Sequence, residues 1–142
     1  MSVHYRILLA VFLLCSYFAL AQDSGTTIKH TTVKPTSAAS GKEMYTQYCA
    51  VCHGKDGKGG GPAAEALKTP PADLTMLAKN NGGKFPSDHV AAVLRGEGGP
   101  AHGSKDMPVW GPVFWQMSHG STGEVHQRVA NLTKFIESLQ AK

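Results

Sequence analysis

The stretch Tyr45 to Pro62, YTQYCAVCHGKDGKGGGP, constrains the chain most tightly: two cysteines stand three apart, with a histidine directly after the second. On a helix Cys49, Cys52 and His53 fall at i, i+3 and i+4 and so share one face. CxxC followed by His is the attachment signature of a c-type haem. Both sulfurs can add to the vinyl groups of a haem lying against that face, and His53 Nε2 reaches the iron from the same side. One motif implies one covalently bound haem c. Three plainer uses compete. A thioredoxin-like CxxC belongs at a strand-to-helix turn, and no segment reads as a strand. Structural zinc needs four closed ligands, and no second CxxC or HxxxH follows. A simple disulfide explains neither His53 nor the thin core described below.

The third cysteine, Cys15, lies in an N-terminal leader. Arg6 supplies a positive charge, Ile7 to Leu20 is apolar, and Ala19-Leu20-Ala21 has the small-x-small form of a cleavage site. The expectation is a signal peptide over 1–21 and export to the periplasm. The apolar run is shorter than the ~20 residues of a membrane span. Attachment through an uncleaved leader is the alternative, and Leu14 stands where lipoprotein processing at Cys15 wants a small residue. Export leaves both remaining cysteines in one CxxC in an oxidising compartment. Residues 22–39 are Ser/Thr-rich with almost no large apolar side chain, and read as a disordered linker. The folded domain is expected over 40–142, roughly 100 residues, a size at which a bound cofactor helps the core. The formal charge is +4, less one for Arg6 when the leader goes. So mild and unpatterned a charge points away from nucleic acid.

Within the domain, Ser40 and Glu43 form a capping box that opens a helix through Met44, Tyr45 and Tyr48 to Cys52. Residues 54–61 are a glycine- and lysine-rich loop, and Thr69 to Leu74 is extended because of its prolines. A short helix begins near Thr75, and Ser87 caps another that ends at Gly96. Residues 98–118 hold Pro100, Pro108 and Pro112 and read as irregular. Ser121 and Glu124 form a second capping box ahead of an apolar stripe from Val125 to Leu139, the mark of an amphipathic helix. The fold class is all-α: a small helical domain with long loops around a cofactor.

Several of these segments, in this order, resemble the monohaem class I cytochromes c over 40–139. Gly41, Tyr45 and Cys49 at four-residue steps look like that family's first helix, and Phe135, Ile136 and Leu139 like its last. The resemblance implies that Phe135 packs near Gly41, where a missing side chain lets the two helices approach. It also implies that the carbonyl of Pro62 accepts the Nδ1–H of His53, which would fix the ring and raise its basicity. Pro70 to Thr75 and Met107 to Gly111 resemble further family segments.

For the sixth iron ligand the candidates are Met76, Met107, Met117, His89, His102 and His119. Met107 is favoured by its place in a proline-rich loop able to bend over the far haem face, with Pro108 fixing the backbone and Trp110 offering a ring and one N–H to the haem. His102, in the same loop, is the rival. Met76 reads as core, His89 and His126 as solvated. His/Met ligation fills both axial positions and favours electron transfer over chemistry on a substrate, and no independent catalytic constellation appears. The expected function is an exported single-electron carrier, not an enzyme, between redox protein partners. A haem subunit of a multisubunit dehydrogenase or oxidase is the alternative, and a small haem enzyme or gas-binding protein with an open sixth site the second. Lys55, Lys58, Lys68 and Lys105 could steer an acidic partner or serve as ordinary solubilising charges.

Overall fold

A computed structural model describes residues 33–97 and 107–141. The leader 1–21, the first part of the arm, His102 and Lys105 lie outside them. Every regular element among the described residues is helical, as the sequence implies.

Ser40 caps the first helix, α1, by accepting from the Glu43 amide at 3.1 Å. Only half of the expected box forms, since the Glu43 carboxylate reaches the amide of Ser37 instead. α1 starts as α-helix over Gly41–Met44, widens into a π-helical turn over Tyr45–Cys49, and resumes as α-helix over Ala50–His53. In the wide turn the Ala50 amide reaches back to the Tyr45 carbonyl, the i→i+5 bond of a π-bulge. A uniform helix was the expectation. The side-chain pattern cannot tell the two apart, because Tyr45, Tyr48 and Cys49 are buried either way.

Past α1, a short 3₁₀ turn Ala64–Ala66 leads to the extended prolines. Asp73 then caps the 3₁₀ turn Leu74–Met76, which runs into α2, Leu77–Asn80. α3 spans Ser87–Arg95 and ends at Gly96 in the left-handed conformation. Pro86, not Ser87, stands at its N-cap, and Ser87 is already helical. The largest departure is α4, Trp110–Met117, inside the stretch expected to be irregular. Pro112 sits in its first turn, where the amide it lacks would have no helical partner. α5, Thr122–Ser138, is capped by Ser121. Its Glu124 side chain pairs with Arg128 instead of closing the box.

α5 is the platform. α1, α3 and α4 pack on it, and α3 also meets α4. Gly41 makes the α1 crossing possible. A Cβ there would collide with the Asn131 carbonyl and lie 2.9 Å from Phe135 Cβ, the close approach that the resemblance implies. The Phe135 ring meets Tyr45 with centroids 5.2 Å apart. The last residues of the arm also belong to this unit. Thr36 is buried, and Asn131 donates to the Ala38 carbonyl at 2.9 Å. The linker therefore gives way to packed chain before residue 40. Its backbone carbonyls and the Thr36 hydroxyl, not large apolar side chains, make the contacts.

Candidate functional site

The end of α1 is built by its own loop. The carbonyls of Val51, Cys52 and His53 have no helical partner left, and the amides of Ala63, Gly61 and Gly59 supply one each at 2.9, 3.0 and 2.8 Å. Gly61 is required for this fold-back, because a Cβ there would strike the Val51 carbonyl. The Tyr45 hydroxyl donates to the Gly54 carbonyl at 2.8 Å, and burial pushes its pKa up to about 12. The glycine-rich loop thus fixes the helix that carries Cys49, Cys52 and His53.

Those three residues face a cleft of about 530 Å³ of empty space, open solvent included, whose mainly apolar walls include Pro70, Pro71, Ala72, Met107, Pro108 and Trp110. A second space of about 570 Å³ adjoins, lined by Leu74, Leu77, Val90, Val93, Leu94 and Ile136, and shares Cys49, His53, Ala72 and Met107 with the first. Burial, and then the neighbouring Cys52, push the Cys49 thiol up to about 12, so it lies neutral against the apolar wall. Cys49 and Cys52 are free thiols.

His53 is buried, and its Nδ1 lies 3.0 Å from the Ala72 carbonyl. A carbonyl only accepts, so Nδ1 carries the proton and the lone pair falls on Nε2. Burial pulls the imidazole pKa below its ordinary value and this hydrogen bond opposes the fall. The acceptor expected from the resemblance was Pro62. That assignment is corrected: Pro62 is exposed and outside the cleft lining, and the extended Pro70-Pro71-Ala72 segment reaches the ring instead.

Met107 lines both spaces. Trp110 is buried on the wall of the first, stacked on Tyr48 at 5.1 Å and on Phe114 at 5.7 Å. Met117 is drawn away to the Tyr48 hydroxyl, and His119 is exposed in the left-handed conformation beyond α4. His89 is exposed, as expected of a solvated residue, yet it also reaches the rim of the second space. Lys55, Lys58 and Lys68 are exposed. Sequence reasoning missed Tyr48 and Ala72. Tyr48 had a signal in its place one residue before the first motif cysteine, whereas Ala72 acts through its backbone and had none.

The residues fit the haem that the motif implies. Two thiols and a histidine with an oriented ring share one apolar cleft with a thioether. Among the described residues no group of three or more His, Cys, Asp or Glu could hold a bare metal ion, and no helix is long and apolar enough to cross a membrane. Residues 36–97, under half of the chain, match the family model described as cytochrome C oxidase, cbb3-type, subunit III. The match supports a c-type cytochrome domain, with haem binding and electron transport. It begins at Thr36, the first buried residue of the arm among those described, and ends before Met107. No curated protein and no solved structure matches the chain.

Proposed function

We propose that this chain is an exported single-electron carrier of the periplasm, holding one haem c through Cys49 and Cys52, with His53 and Met107 as axial ligands. The observation that carries the reading is that His53 and Met107 line the same two apolar spaces, beside the motif cysteines. Bound there, the haem supplies a one-electron Fe(III)/Fe(II) couple. Ala72 orients the His53 ring and makes its Nε2 a better donor. The soft thioether of Met107 favours the reduced state and raises the potential above that of a second imidazole. Pro70, Pro71 and Trp110 give that cleft apolar walls. With His53 and Met107 both holding the iron, no ligand position would be left for a substrate, which supports a carrier over an enzyme. The leader over 1–21 supports export, and the exposed lysines suit redox partners with acidic faces.

A second reading, a haem-bearing subunit of a larger redox complex, draws support from the description of the family matched over 36–97. A redox titration followed by optical spectra tests the carrier. A reversible low-spin couple whose ferrous form resists carbon monoxide is expected, and a high-spin spectrum with ready uptake overturns it. Co-purification with a larger redox complex at fixed stoichiometry decides for the subunit.

A further inference from the structure

The arm and the cleft meet at one side chain. Tyr48 lines the first space, and its hydroxyl points away from it. That hydroxyl donates to the Lys34 carbonyl at 2.6 Å and lies 3.0 Å from Thr36 Oγ1. Its ring stacks on Trp110, nearly parallel at 26°, and Trp110 opens α4 directly after Met107-Pro108-Val109. The arm is itself pinned. Arg128 is buried and donates to the Thr36 carbonyl at 2.9 Å and to Ser118 Oγ at 3.1 Å, with Glu124 closing the pair at 2.7 Å.

From this chain of contacts we infer that residues 34–36 are a strap that positions the Met107 loop, with Tyr48 as the positioning residue between them. The inference rests on the reading of Met107 as an iron ligand. Tyr48 is part of α1 and rigid with the cysteines, whereas Met107 lies in irregular backbone ahead of α4. Stacking transmits the orientation of the Tyr48 ring to Trp110, and through Trp110 to where the loop enters the cleft. The two acceptors on the strap restrict that orientation. A phenylalanine at 48 keeps the stack and the apolar wall but loses the restriction.

The test uses the full-length, haem-loaded protein and the variants Tyr48→Phe, Thr36→Val and both together. The readouts are the rate of carbon monoxide binding to the ferrous form and the weak long-wavelength sulfur-to-iron band of the ferric form. Tyr48→Phe should keep the haem attached, weaken the band and speed carbon monoxide binding by about five- to tenfold, the weight of one buried hydrogen bond. Thr36→Val should give a smaller change in the same direction. The double variant should be no faster than Tyr48→Phe alone, because both act through one contact. If Tyr48→Phe lowers only the melting temperature and leaves band and rate as in the parent, the strap is structural and the inference fails. If the parent itself lacks the band or binds carbon monoxide as fast as Met107→Ala, the ligand assignment has failed instead.

Discussion

His53 owes its proton position to Ala72, 19 residues along the chain, through a backbone carbonyl. A substitution at Ala72 would leave that carbonyl in place, whereas the proposed ligand residues can be tested directly. Met107→Ala should abolish the sulfur-to-iron band, leave the covalent haem attached and lower the potential, because a soft sulfur gives way to water or a nearby nitrogen. Potentiometry on the purified variant checks this, and an unchanged potential with an intact band would remove Met107 as a ligand. Gly61→Ala should cost about 1–3 kcal/mol, the usual scale of an overpacked contact. The added methyl meets the Val51 carbonyl and pries the loop from the end of α1. Thermal melts of the haem-loaded protein measure it. The three motif residues were readable because side-chain identity carries them, whereas the closeness of Gly41 to Phe135 was implied only by the family resemblance. Ala72 was hidden, and Pro62 misread, because a carbonyl acceptor leaves no mark on side-chain type.

α1 and α5 were legible because each begins at a serine that does cap it and each keeps an apolar stripe on one face. α4 was not, since proline usually breaks a helix. Only its location in the first turn makes Pro112 harmless. The short 3₁₀ turn before α2 rests on Asp73, whose carboxylate accepts from the Thr75 amide at 2.9 Å and hydroxyl at 2.6 Å. The hydroxyl bond is the main reason its pKa lies below the ordinary value. A depressed carboxylate stabilises the fold fully above its unfolded pKa of about 4, and this contribution disappears as the pH falls through the lowered value. Asp73→Asn should therefore lower stability near neutrality and converge with the parent in acid, which flattens part of the acid limb of a stability-against-pH curve. The same turn is clamped from the other end of the chain. Gln140 accepts from the Ala78 amide and donates to the Leu74 carbonyl. Gln140→Ala should lower stability by about 1–2 kcal/mol, read from denaturant melts, and should loosen the Leu74 and Leu77 wall of the second space.

Across the whole molecule, the core is assembled from both ends of the described chain, and that governs which parts can be removed. The linker boundary drawn from composition was too late, because Thr36 offers its backbone to Arg128 and its hydroxyl to Tyr48, and composition counts apolar side chains alone. A variant starting at Ser37 should melt several degrees below the parent, given the hydrogen bonds lost. Equal melting temperatures in calorimetry would return these residues to the linker. The seam between α1 and α5 has a further consequence, one of timing. The loop that closes the end of α1 uses partners within about a dozen residues of one another, a separation that forms fast. The bond from Asn131 to Ala38 joins residues 93 apart, which makes it a late event. On the proposed export, an N-terminus-first passage would deliver Cys49, Cys52 and His53 well ahead of α5. The thiol face would then already be shaped by its loop while α5 has not docked, which on the proposed attachment leaves a window for haem to reach both sulfurs.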